Sequence, residues 1–170
     1  MTTDEQQRVL DLITKRISDG AFLRSFCITR DGATKLSLDT LETAYVQGNP
    51  DDVEMGLLIG FHFGFSPAHL DVLCRLSEAD WHMQHENVVL ALGELIDKRS
   101  VDTLYRAALK SHAYLEYDEG RALTLKAVMA LGRIEDRAAV EKLRLLAESN
   151  EPLIRKHALR QLDRRRSGEK

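Results

Sequence analysis

The segment Asp80-Trp-His-Met-Gln-His-Glu86 comes nearest to a chemical motif. His82 and His85 stand three residues apart with Glu86 next, and imidazole beside carboxylate is the usual material of a metal site. A zinc hydrolase of the His-Glu-x-x-His type needs its second histidine three residues after the glutamate, and that position is Val89. His82 and His85 could instead share an ion with Asp118 or Glu119. Against that stands the plainer reading, in which these side chains cap helices and satisfy hydrogen bonds. No metal and no cofactor are expected on balance. No serine lies in a Gly-x-Ser-x-Gly elbow, a P-loop or a dinucleotide glycine pattern, and spacing pairs no two carboxylates as acid and base. A protein without catalytic activity is the expectation.

A second group of residues suggests contact rather than catalysis. His112-Ala-Tyr-Leu-Glu-Tyr-Asp-Glu119 carries Tyr114 and Tyr117 among Glu116, Asp118 and Glu119. Tyrosine offers a large contact area at small entropic cost, with a hydroxyl suited to a half-wet interface. Together with Trp81, His82, His85 and Glu86, these five residues form the candidate partner-binding patch. The alternative is that the tyrosines pack back on the fold and the acids cap the following helix. Trp81 is the only tryptophan and is more often a core plug than a hot spot. Other features read as structural. Gly56, Gly60 and Gly64 make a smooth ridge for close helix approach, His62 and His69 are core-edge histidines, and Cys27 and Cys74 are inert thiols.

The elements that position these residues follow from periodicity. Moving the chain by 31 residues carries Leu70, Leu73 and Leu76 onto Val101, Leu104 and Ala107, and Leu57, Leu58 and Phe61 onto Val88, Val89 and Leu92. A shift of 39 carries both sets onward, to Val140, Leu143 and Leu146 and to Ala127, Val128 and Leu131. A final shift of 31 reaches Ala158, Leu159 and Leu162. Within each copy the apolar spacing is helical. Nine helices are predicted, near 3–18, 37–47, 51–64, 67–79, 84–96, 99–111, 121–134, 136–149 and 152–165, with 20–36 a long connection. Period-two alternation is absent, so no sheet is expected. The eight additional residues of the 39-residue step are 112–119, an insertion at a turn, where solenoids often place binding segments. The turn 80–86 should lie beside it.

The period, the paired helices and the matching residues Leu92-Gly93 with Asp97, Ala130-Leu131-Gly132 with Asp136, and Ile154-Arg-Lys-His-Ala158 resemble HEAT-like repeats of the phycobilisome-lyase type. His62 departs from this pattern where later copies have Gly93 and Gly132. The resemblance covers about 50–165 and implies an all-α fold, an α-solenoid of stacked antiparallel helix pairs akin to an armadillo superhelix. One domain is expected over 1–170, with N-terminal helices and a connection over 1–49, repeats over 50–166 and a frayed tail at 167–170.

Charge and composition narrow the function. Residues 36–96 hold ten acids and one base, Arg75, whereas 97–170 hold seventeen bases and twelve acids. An acidic middle disfavours nucleic acid and suits a basic protein partner. The nearly apolar stretch from Met55 to Phe65 is too short to span a bilayer, and no secretory leader is evident, so a cytoplasmic location is expected. The leading expectation is a protein-binding module, in its most concrete form a small bacterial immunity protein that occludes a basic nuclease toxin. A lyase-like or chaperone role is implied by the resemblance alone. A nucleic-acid enzyme on helical repeats ranks last, because it requires a basic track.

Overall fold

A computed structural model describes residues 1–118 and 121–168. Among these, ten α-helices and no strands are found: α1 Thr3–Ile13, α2 Asp19–Ser25, α3 Arg30–Gln47, α4 Pro50–Phe63, α5 Leu70–Glu78, α6 His85–Leu95, α7 Val101–Leu109, α8 Arg121–Arg133, α9 Arg137–Ala147 and α10 Pro152–Ser167. No helix of the described residues is long and apolar enough to cross a membrane. Local chemistry sets many of the boundaries. Thr2 and Glu5 form a reciprocal capping box at α1, and Ser18, Thr29, Asn49 and Asp136 cap α2, α3, α4 and α9 through their side chains. Gly48 ends α3 at a φ of 64°, a conformation that costs glycine nothing.

The N-terminal part corrects two sequence expectations. The first helix stops at Ile13 rather than near 18, where Thr14 caps it and Lys15 turns left-handed at a φ of 59°. Residues 20–36 are not a connection, because α2 and the first half of α3 occupy most of that range, bringing the count to ten. Residues 30–36 of α3 escape apolar periodicity because Ala33 is the one buried position among them; the rest of the buried stripe, Ser37, Thr40, Leu41 and Ala44, lies in the predicted 37–47 helix. Ser37 remains buried by donating to the Gly56 carbonyl of α4 at 2.7 Å.

Helix α4 is buried on two sides. Val53 and Leu57 join the main core, whereas Met55, Ile59 and Phe63 pack with Val9, Leu12, Phe22 and Ala33 of α1–α3. The first helices therefore cover one face of α4. From there the helices neighbour one another in two files: α3, α5, α7 and α9 in one, α4, α6, α8 and α10 in the other. The glycines permit the close approaches. A Cβ on Gly56 would lie 2.7 Å from the Leu41 side chain, one on Gly93 3.1 Å from Ala130, and one on Gly132 2.3 Å from Gln161. The last two contacts are the same contact one unit apart. Gly64 differs, since it ends α4 at a φ of 104° instead of extending the ridge.

The recurring apolar positions are buried with instructive exceptions. Val88, Val89 and Leu92 are fully enclosed, as are Ala127, Val128 and Leu131. Leu159, which occupies the position of Val89 and Val128 in the last copy, is 46% exposed because, among the described residues, no helix covers that face of α10. Its neighbours on that outer face are Arg155, Lys156, Arg160, Asp163 and Arg164.

Candidate functional site

The turn from α5 to α6 places its side chains alternately in and out. Trp81 and Met83 face solvent, at 37% and 72% exposure, while His82 and His85 are buried at 2% each. The helix end explains the inward pair, since its carbonyls keep acceptor capacity; the Leu76 carbonyl takes the Ala79 N–H at 3.1 Å and has a second lone pair to offer. His82 Nε2 donates to the Leu76 carbonyl at 2.9 Å, and its Nδ1 accepts from the Gln84 backbone N–H at 3.0 Å. His85 Nε2 donates to the Ala79 carbonyl at 2.6 Å. Each contact places a proton on Nε2, and the N–H that His82 Nδ1 accepts leaves that ring neutral.

The segment after α7 closes the arrangement. Ala113–Asp118 forms a 3-10 turn, with Leu115 in the core. Tyr114 Oη accepts the backbone N–H of His85 at 3.3 Å and lies 3.0 Å from His85 Nδ1, to which it donates. It thereby caps α6, whose own N-cap residue Gln84 makes no side-chain cap. His112, 8% exposed, stacks on His85 with ring centroids 3.6 Å apart, and His85 stacks on His82 at 4.4 Å. Three histidines thus form one pile beneath the turn. Burial pushes His85 down to about 4, and also lowers His82 and His112 below the ordinary imidazole range.

The predicted patch is therefore divided. Trp81 is at the surface, leaning on Tyr45 of α3 with ring centroids 6.5 Å apart, and edge-on to His82 at 5.1 Å. Arg75 lies over the Tyr45 ring at 4.5 Å and pairs with Glu42. His82 and His85 lie under the turn and cannot be contact residues while it is closed. Glu86 pairs with Lys126 of α8 at 2.6 Å. Tyr114 is turned inward, and the side chains of Glu116, Tyr117 and Asp118, with the whole of Glu119, lie outside the described residues. Sequence reasoning did not single out Tyr45, Asp80, Lys110 or His112. For Asp80, Lys110 and His112 a signal was available in the 31-residue shift, which maps Trp81 onto His112 and so places the two turns side by side; Tyr45 had none.

Several acids of the 36–96 segment are neutralised across helices: Glu78 by Arg106, Asp80 by Lys110, Glu86 by Lys126 and Glu42 by Arg75. Asp51, Glu54, Asp71 and Glu94 remain exposed.

Asp80, His85 and His112 have ligand atoms within 4.8 Å of one another, the spacing of a loose metal triad. The geometry opposes that use. Stacked rings direct their in-plane lone pairs side by side instead of toward one ion, and the Lys110 ammonium lies 2.6 Å from the Asp80 carboxylate. His82 has both nitrogens engaged; the Asp118 and Glu119 side chains named as its co-ligands lie outside the described residues. What the cluster does chemically is hold a turn rigid. Compared with known proteins, the chain matches no family model, no curated protein sequence and no solved structure.

Proposed function

We propose that this chain is a short α-solenoid of HEAT-like repeats acting as a protein-binding module without catalysis, with the Trp81 turn at the centre of its docking edge. The observation that carries this reading is the exposure of Trp81 and Met83 on a turn whose backbone is fastened by two buried histidines. A large aromatic anchor on a pre-organised support is the usual composition of an interface hot spot. Two features support the solenoid reading, the two files of helices and the repeated Gly93–Ala130 and Gly132–Gln161 approaches.

The proposed partner is a protein presenting apolar side chains ringed by cations. The exposed Asp51, Glu54, Asp71 and Glu94 favour encounter with a basic partner through the field of the 36–96 segment as a whole, and a basic toxin occluded by a small inhibitor is one such pair. The test is affinity capture from the source cells with the wild type and with Trp81→Asp/Met83→Asp, whose helical circular dichroism should be unchanged. Loss of a specific, salt-sensitive partner from the double variant is the expected result. Recovery of the same partners by both proteins would overturn the reading.

A further inference from the structure

We propose that the pile of His82, His85 and His112 makes the Trp81 turn a proton-operated clasp, closed while the rings are neutral and released when they charge. The geometry carries this. The rings of three different backbone positions stack at 4.4 and 3.6 Å, and all three are at least nine-tenths buried. Two of them hold the turn by donating to the Leu76 and Ala79 carbonyls. The middle ring has the least room for a charge, since it lies between two others and away from bulk water.

Among the described residues, the surrounding charges do not offset that charge. Asp80 faces the pile from the turn, 4.0 Å from His112 Nδ1, but Lys110 at the end of α7 already holds it. Glu78 at the end of α5 is paired with Arg106 of α7, and Glu86 of α6 with Lys126 of α8. Beyond Trp81, Glu42 of α3 is paired with Arg75 of α5. The segment after α7 contributes the Tyr114 hydroxyl, which already accepts the His85 backbone N–H. A first proton settles on His112, the ring facing Asp80. A second on His85 or His82 then enters a stack that is already charged, and hydration of the rings requires the turn to lift. Burial lowers the proton affinity of all three rings, consistent with a clasp that is closed at neutral pH. Control of the docking edge follows only if the docking reading holds; the opening itself does not depend on it.

The experiment uses the single tryptophan of the 170-residue chain as reporter. Acrylamide quenching of Trp81 is measured from about pH 7 down to about pH 4, alongside far-UV circular dichroism, across the range in which imidazole titrates. The expected result is a rise in the quenching constant of roughly threefold before helix content falls. In His85→Gln, which keeps a donor for the Ala79 carbonyl, that rise should disappear. His112→Gln provides the same comparison should His85→Gln fail to fold. Quenching that stays flat until the helices melt, or that rises unchanged in the variants, would overturn the proposal. Because these measurements need no partner, they separate failure of the clasp from failure of the docking reading.

Discussion

The Tyr114 hydroxyl stands 3.0 Å from His85 Nδ1 and 3.3 Å from the His85 backbone nitrogen, so the segment that breaks the repeat spacing caps the helix of the preceding unit. An insertion that regular packing does not need has become the support of a turn one unit away. The exposed Trp81 and Met83 depend on that support indirectly, through His85 and the Ala79 carbonyl.

Tyr114→Phe keeps the ring and removes the cap. The expected loss is about 1–2 kcal/mol, since the His85 N–H and Nδ1 both lose their partner in a buried setting. Urea denaturation checks the magnitude, and amide exchange should accelerate at the first turn of α6 before it does elsewhere. An unchanged midpoint and unchanged exchange at α6 would show that the cap contributes nothing.

The repeat relation predicts unequal costs at equivalent positions. Val128→Ala, in a fully enclosed site, should cost about 1–3 kcal/mol. Leu159→Ala at the corresponding place on α10 should cost under about 0.5 kcal/mol, because the side chain is 46% exposed. Paired thermal melts of the two variants are the measurement, and equal losses would contradict the assignment of α10 as the uncovered end.

Ile96 ends α6 at a φ of 50°, in the left-handed region, where a β-branched residue is strained. Its side chain is 42% exposed, so little burial is lost on removal. Ile96→Gly is expected to raise stability by about 1 kcal/mol, read as a higher denaturant midpoint. A lower midpoint would mean that the isoleucine contacts outweigh the backbone relief.

The buried histidines make stability depend on pH with a definite sign. His85 is held at about 4, below its ordinary 6.5, so as pH falls from 6.5 the unfolded chain takes up a proton that the folded chain refuses. Stability is full above pH 6.5 and declines toward about pH 4, by up to about 3 kcal/mol from His85 alone. His82 and His112 act in the same direction. Urea unfolding at successive pH values should show this decline in the wild type and a flatter profile in His85→Gln. Parallel profiles would remove His85 as the source.

How much was legible in the sequence depended on side-chain type. Leu70, Leu73 and Leu76 and their copies announced the later helices, because large apolar residues at helical spacing must be buried somewhere. Residues 30–36 of α3 were missed because Ala33 is the one buried position there, and a single small residue leaves no periodic apolar signal. The charge contrast between 36–96 and 97–170 was visible, but its partial cancellation by Arg106, Lys110 and Lys126 was not, since ion pairing across helices is a relation of faces.

The sequence by itself determined that the chain is helical, where most later helices lie, and that 112–119 departs from the period. It also brought Trp81, His82 and His85 to notice as a group. Only the tertiary structure decided which of them face water. In a turn without regular periodicity, residue order does not set side-chain direction; the acceptor carbonyls of Leu76 and Ala79 do, by drawing His82 and His85 inward and leaving Trp81 and Met83 outside.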